Sequence, residues 1–384
     1  MRFALISSLL PPDSPGGAEA YVAAQAAWLA QRHDVVVLTG SPTATLDGLP
    51  TVRLPRLPNL MPEAPLGGRL LWHALDQWLP QVHLAVSREL RRIAPDVVLT
   101  HHPQGLSSAV FTAIAARRLP HVHTAHDLNL LCARMTMTRD GEFCGGRCAT
   151  CRVQRAIRGT AIGLNLSRLV AVSRYICERH IRGGVVPRER AESIRLGAEP
   201  GTARLRRRGD APLTLGFIGT VARHKGIRTL LEAFARTQEP WRLVVAGSGS
   251  LAGEVAAAAA RHPRITYVGH VDGEAKDAFF DGLDLLVIPS EWEEPATFVA
   301  AEASVRGLPA VVSDRGGLPE WPEARTFRSR DPDDLVRAVQ WFLDEPSRLE
   351  EASRRLLAAQ TEFEWSTHAG RVEALLEEVQ AEGR

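Results

Sequence analysis

Lysine is almost missing from this chain: of its 46 basic residues only Lys225 and Lys276 are lysines, and the rest are arginines. Cysteine is also sparse, at 5 of 384 residues, and aromatic side chains make up 6%. No stretch approaches the roughly 20 consecutive apolar residues that a membrane span requires, so any membrane contact is expected to be peripheral. Neither sign of charge dominates, since 46 basic residues stand against 44 acidic ones, and this leaves no electrostatic case for a nucleic-acid partner. The opening apolar run, Phe3 to Leu10, is short for a secretory leader and stops at Pro11-Pro12-Asp13. It reads as a first buried strand, and a cytoplasmic location is expected.

At 384 residues the chain is long enough for two domains, each with its own core. Residues 1–200 read as one domain and residues 213–366 as a second. Residues 201–212, in which Arg204, Arg206, Arg207 and Arg208 lie between Pro200 and Pro212, read as a solvated linker, with a last helical segment at 367–384. Apolar runs at Asp34–Thr39, Asp96–Thr100, Leu169–Ser173 and Leu285–Ile288 predict buried strands, separated by helical patterns such as Ala20–Arg32. Between Arg69 and Arg92 the helical pattern is interrupted at Pro80. Trp72 and Trp78, with Leu70, Leu71, Leu75 and Leu79, read as core and flap residues, or else as an apolar surface for a lipid-linked or aromatic acceptor.

One stretch gathers more chemistry than any other. After the strand at 285–288, Pro289-Ser290 opens an acidic loop, Glu291-Trp292-Glu293-Glu294-Pro295, and a helix begins near Thr297. Glu294 then sits at the carboxyl end of a strand, and Glu302 in the second turn of the following helix. The amides of Thr297, Phe298 and Val299, at the helix start, form an anion site between the two carboxylates. Carboxylates accept hydrogen bonds from sugar hydroxyls and amides donate to phosphate oxygens, so the arrangement suits a sugar nucleotide. Near the N-terminus, Gly16-Gly17 precedes another helix and would let backbone approach a ligand there. His101-His102 leaves a strand with its two rings on opposite sides, one for a cleft and one for packing.

Four of the five cysteines lie within twenty residues. Cys132, Cys144, Cys148 and Cys151 have the spacing Cys-x11-Cys-x3-Cys-x2-Cys, with Gly145-Gly146 supplying a tight turn. In a reducing compartment such a cluster reads as a structural zinc site. The Cys144-x3-Cys148-x2-Cys151 portion is also similar to iron-sulfur spacing, and free thiols or disulfides are further readings. Cys177 reads as a helix-core residue.

Glu294-x7-Glu302, followed by Gly307-Leu308-Pro309-Ala310-Val311-Val312 and Gly316-Gly317-Leu318-Pro319-Glu320, resembles the nucleotide-sugar glycosyltransferases of family 4. The resemblance implies an α/β GT-B fold, with two facing Rossmann-like domains and a cleft between them. It also implies retaining transfer from a nucleotide-diphosphate sugar to a carbohydrate, lipid-linked or small-molecule acceptor, without a catalytic metal. By the same resemblance, Glu294 meets the transferred sugar and Glu302 the ribose, and Gly16 and Gly17 face the donor phosphate and acceptor. Thr124-x-His126-Asp127 resembles the segment that brings a histidine to the donor sugar, which implicates His126, with Asp127 orienting the ring or organising the loop. Lys225 matches the family's diphosphate-binding lysine. Thr220 stands where the family carries an arginine, and Arg223 is the nearest replacement for that charge. Epimerase or hydrolase action on a sugar nucleotide, and non-catalytic binding, are the other classes open to such a fold.

Overall fold

Short runs rich in Val, Ile and Leu recur through the chain, and in the computed structural model each becomes a strand shielded by helices. The structure describes every residue except Pro15, Asp47, residues 60–64, Asp140, Gly141, Arg147, Arg208, Asp210, Pro346 and Arg384, and excepting also the side chains of Leu66 and Arg139. Two units form. The first comprises Met1–Thr138, Cys144–Arg195 and Ala369–Arg384, and the second comprises Arg139–Phe143 and Leu196–His368.

In the first part of the chain, β1 (Arg2–Ser7) leads through α1 (Gly17–Ala30) to β2 (Asp34–Thr39) and β3 (Thr51–Arg53). The helices α2 (Leu66–Leu75) and α3 (Pro80–Ile93) come next, then β4 (Val97–Thr100), α4 (Ala109–Ala116) and β5 (His121–Ala125). A two-stranded ladder, β6 (Thr138–Arg139) with β7 (Glu142–Phe143), precedes α5 (Ala149–Gly163), β8 (Arg168–Ala171), α6 (Arg174–Arg182) and β9 (Ala191–Ser193). Pro80 begins α3 at a position where its missing N–H costs nothing, which is why the helical pattern breaks there. The seven strands of the main sheet are ordered β3-β2-β1-β4-β5-β8-β9 and pair in parallel.

The second unit repeats the plan. It contains β10 (Thr214–Ile218), α7 (Ile227–Arg236), β11 (Arg242–Ala246), α8 (Ala252–Arg261), β12 (Ile265–Gly269) and α9 (Gly273–Asp281). Then come β13 (Leu285–Ile288), α10 (Phe298–Val305), β14 (Ala310–Ser313), β15 (Ala324–Phe327), α11 (Pro332–Asp344) and α12 (Ser347–Ala358). Its parallel sheet runs β12-β11-β10-β13-β14-β15. Each sheet therefore winds outward in both directions from its first strand. In such sheets the loops leaving the two strands at the reversal diverge at their carboxyl ends, and ligands bind in the crevice they leave. The reversal lies between β1 and β4 in the first unit and between β10 and β13 in the second.

The last helix, α13 (Trp365–Glu382), completes the first unit's core. Val372, Leu375, Leu376 and Val379 pack with Phe3, Leu5, Val22 and Leu29. On the polar edge of the same contact, Glu373 accepts hydrogen bonds from Trp28 Nε1 (2.7 Å) and Arg32 Nη2 (2.7 Å) and pairs with His33 Nε2 (2.9 Å). With the Arg32 bond the foremost cause, its carboxyl is lowered to about 2.

Two expectations need correction. Residues 201–212 are not a free solvated linker, because Arg206 is buried, donates from its backbone to Ser353 Oγ (2.8 Å) and from Nη2 to the Phe280 carbonyl (3.0 Å). Arg204 donates to the Asp281 carbonyl (2.6 Å), so this stretch belongs to the second unit, and the division of the chain falls between Arg195 and Leu196. Arg208 lies outside the described residues. The core-and-flap reading of the α2 region holds only for Trp72 and Leu79, which are buried; Leu70, Leu71, Leu75 and Trp78 are exposed, Leu71 by 61%. Among the described residues no helix is long and apolar enough to cross a membrane.

Candidate active site

In the second unit the loops leaving β10 and β13 flank the sheet's reversal, one carrying Lys225 and the other Glu294. After β13, Glu294 is carried into the interior and is only 4% exposed. A carboxylate so buried must be hydrogen-bonded, and it is bonded by three side chains. Lys225 Nζ lies 3.0 and 2.8 Å from its two oxygens, and Ser290 Oγ and Trp292 Nε1 each donate to Oε2 at 2.8 Å. The Lys225 ammonium also lies 5.3 Å from the centre of the Trp292 ring, a cation–π contact that holds the indole against the ion pair.

Two glycines make this geometry possible. Gly226, in the left-handed conformation at φ 73°, turns the chain from the short 3-10 turn Arg223–Lys225 into α7, and a Cβ there would lie 1.7 Å from the Pro289 carbonyl oxygen. Gly316, at φ 60°, passes so close to Glu294 that a Cβ would meet its carbonyl oxygen at 2.1 Å, and the next amide, Gly317 N, donates to that carbonyl at 2.8 Å. The Gly316-Gly317 motif thus positions Glu294 by packing against its backbone.

Thr297 caps α10, its hydroxyl accepting from Val299 N at 3.3 Å, with Phe298 the first helical residue. The helix presents the positive end of its dipole there, although in this state Thr297 already engages the Val299 amide. One turn further along α10, Glu302 pairs with Lys276 of α9. Both lysines of the chain therefore neutralise the two glutamates of the Glu294-x7-Glu302 pair. Lys276 was not singled out from sequence, but its rarity was the available signal. Arg223 is exposed at the start of the same 3-10 turn as Lys225.

In the first unit the ends of β4 and β5 are rich in histidine. His126, just past β5, lies with its Nε2 3.1 Å from His101 Nδ1 and its ring 4.7 Å from that of the buried Tyr21. Burial, together with the neighbouring His126 charge, holds His101 well below the usual histidine range, so it stays neutral and can share a proton with His126 only as a neutral ring. Behind it, Thr100 Oγ1 bridges His121 Nε2 (2.7 Å) and His123 Nδ1 (2.8 Å). Burial lowers His121 to about 3 and also holds His123 well below the usual histidine range.

His102 faces the other way and pairs with Asp127, Nε2 to Oδ2 at 3.3 Å. Burial lowers the His102 pKa, but the hydrogen bond and charge of Asp127 outweigh it and raise it overall. Burial likewise raises Asp127, and His102 with the Asn129 amide turns the result downward. Asp127 Oδ1 accepts from Asn129 N at 2.6 Å, so Asp127 organises the loop and holds His102. Gly16 caps α1, and the Glu19 carboxylate, bonded to Ser14 Oγ at 2.9 Å, packs against it. The glycine here makes room for a carboxylate of its own helix.

Beyond Asp127 the chain is pinned by α5. Gln154 Nε2 donates to the Asn129 carbonyl (2.7 Å), and the fully buried Arg158 bonds Asn129 Oδ1 and the Asp76 carboxylate. Of the four clustered cysteines, Cys132 and Cys151 are buried with sulfurs 3.4 Å apart. Cys148 is the residue that precedes the first turn of α5, while Cys144 Sγ donates to the Met137 carbonyl at 3.1 Å. No three of these sulfurs lie within 4.8 Å of one another. Cys177 is buried in α6.

These features coincide with known proteins over nearly the whole chain. Residues 15–202 match the family described as Glycosyltransferase Family 4, and residues 212–345 match Glycosyl transferases group 1. The sucrose-phosphate synthase of Thermosynechococcus elongatus superposes with a TM-score of 0.73 at 21% identity, covering 99% of both chains. HepE of Anabaena in complex with UDP does so with a TM-score of 0.73 at 16% identity, covering 98% of this chain and all of the other. At these identities the likeness concerns the fold, and the fold is GT-B. An uncharacterized 42.6 kDa protein in the cps region of Klebsiella pneumoniae is 23% identical over 331 residues, 83% of this chain and 87% of its own. The chain belongs to the family 4 type of GT-B glycosyltransferases.

Proposed function

We propose that this glycosyltransferase moves a sugar from a nucleoside-diphosphate sugar to an acceptor hydroxyl with retention of anomeric configuration. The observation that carries the reading is the buried Glu294 carboxylate at the reversal of the second sheet, beside the amino end of α10 and with Glu302 on the same helix. In this reading Glu294 accepts from hydroxyls of the transferred sugar and Glu302 from the ribose. Lys225, Arg223 and the amides of Thr297, Phe298 and Val299 take the diphosphate, Lys225 exchanging part of its contact with Glu294 for a phosphate oxygen. In the first unit, Gly16 and Gly17 approach the phosphate and acceptor, and His126 positions the sugar with His101 fixing its ring. UDP is the ligand named for HepE, which supports a nucleotide as the group bound here.

The bond from the anomeric carbon to the leaving phosphate oxygen breaks as the acceptor oxygen bonds to that carbon on the same face, and the acceptor proton passes to the departing phosphate. Preorganised cations and amides stabilise the negative charge that develops on the leaving group. That role needs no divalent ion, so added divalent cation should leave turnover unchanged. The test is donor consumption with and without a panel of carbohydrate, lipid-linked and small-molecule acceptors, with the product's anomeric configuration read by NMR. Acceptor-dependent transfer with retention supports the reading. Donor loss without acceptor would reassign the protein as a hydrolase or epimerase, and an inverted product would remove the proposed mechanism.

A further inference from the structure

The four clustered cysteines lie apart from the chemistry proposed above, in a segment whose fold is otherwise thinly supported. Among the described residues between Cys132 and α5 there is no strand longer than the two-residue pieces β6 and β7, too little to bury a core of its own. What the fold does is bring the ends of this segment together. Cys151 lies on the stripe of α5 that also buries Gln154 and Arg158, and those two side chains grip Asn129, three residues before Cys132. The stripe and the Leu128–Cys132 turn, closed by Cys132 N to the Leu128 carbonyl at 2.8 Å, thus place two buried sulfurs at 3.4 Å.

Two more thiols are on short tethers to this pair. Cys148 stands three residues before Cys151, at the amino end of the same helix, where the unsatisfied amides and the dipole favour a thiolate. Three residues separate Cys144 from Cys148, and the first two, Gly145 and Gly146, are left-handed at φ 61° and 69°. The Cys144 sulfur is occupied only by the Met137 carbonyl, a contact that a rotation about its side chain would release.

We propose that Cys132, Cys144, Cys148 and Cys151 together hold one zinc ion, with Cys132 and Cys151 as the preplaced pair and Cys144 and Cys148 closing over it. Four thiolates about 2.3 Å from a tetrahedral ion lie about 3.8 Å from one another, close to the spacing of the preplaced pair. Each thiol gives its proton to solvent and a sulfur lone pair to the ion, so binding is coupled to proton release. The role is structural: with all four positions filled by protein there is no open site for a substrate. The ion ties residues 132–151 into one knot and, through Asn129, fixes the loop that carries His126 and Asp127. It stands independently of the glycosyl-transfer reading.

The test is metal analysis of the full chain purified anaerobically without a histidine tag. The expected result is about one zinc per chain, its loss in Cys132→Ser and Cys151→Ser, and its retention in Cys177→Ser, whose thiol lies in α6 outside the cluster. Because the cluster variants could lose metal by unfolding, the wild-type protein is also stripped with a thiol reagent, reduced, and titrated with cobalt(II). A thiolate-to-cobalt charge-transfer band saturating at one equivalent, with a higher thermal midpoint and slower proteolysis within residues 132–151, supports the site. The proposal is overturned if folded protein contains no zinc and yields no such band, if iron with acid-labile sulfide is found, or if mass spectrometry finds a Cys132–Cys151 disulfide in protein kept reduced.

Discussion

The two units share one strand order but furnish it with different chemistry. In the second unit lysines and glutamates are paired: Lys225 with Glu294, and Lys276 with Glu302. In the first, the rings of His101 after β4 and of His121 and His123 on β5 are buried and held in the uncharged form, while His102 pairs with Asp127. One backbone plan therefore carries lysine–glutamate pairs in one unit and a group of buried, uncharged histidine rings in the other. Under the proposed function the charged side chains take the diphosphate, and a neutral imidazole offers a directional donor or acceptor to a sugar hydroxyl without attracting the phosphate.

The sharpest way to break the comparison is to neutralise the charged site while keeping its shape. Glu294→Gln should lower transfer about 100-fold or more, by analogy with the loss of one preorganised polar group from a catalytic site, while the circular dichroism spectrum is kept. Normal turnover would remove Glu294 from the mechanism. Lys225→Met leaves the Glu294 carboxylate buried without its cation, a change that typically costs about 3 kcal/mol or more, so its denaturation midpoint should fall further than that of Glu294→Gln. The double variant should recover much of that stability and none of the activity. Stability that does not recover would mean that the two residues are not coupled.

The histidine side predicts an asymmetric response to acid. A buried histidine with a depressed folded-state pKa takes up its proton only on unfolding, so its contribution to stability is complete above the unfolded value of about 6.5 and is lost as pH falls below it, at about 1.4 kcal/mol per pH unit for each such ring. For His121 the window extends down to about 3. In the second unit His224, His262 and His270 are exposed, with only His368 buried, near the unit's end. Limited proteolysis at decreasing pH should therefore cut first-unit sequences before second-unit ones. Simultaneous loss would show that the rings do not set the acid limit.

The smallest expected effect concerns α13. Glu373 has its carboxyl lowered from 4.5 to about 2, so its stabilising contribution is present above pH 4.5 and is lost as pH falls towards 2. Glu373→Gln should lower the thermal midpoint by a few degrees at neutral pH and leave less difference from wild type as the acid limb is approached. A midpoint equal to wild type at pH 7 would show that the contacts of Trp28 and Arg32 contribute nothing measurable.

Much of this protein was legible in the residues themselves. The run Leu285–Ile288 between turn formers, the loop that follows and the helix from Thr297 are set by neighbours in sequence, so β13, Glu294 and α10 could be placed without coordinates. Glu302 follows from the same local register. Pairings across the chain were decided only by the tertiary structure. Nothing in the spacing says that Lys276 meets Glu302, that Asp127 pairs with His102, or that Ser290 and Trp292 share Glu294 with Lys225. Nor could composition reveal that Arg206 is buried while Leu70 and Leu71 are exposed, since burial depends on what packs against a helix or strand and not on the residue alone. Local backbone preference and hydrophobic period are short-range properties that a sequence states directly. Which distant charges and rings share one interior is settled by packing, where each buried polar group must find its partner.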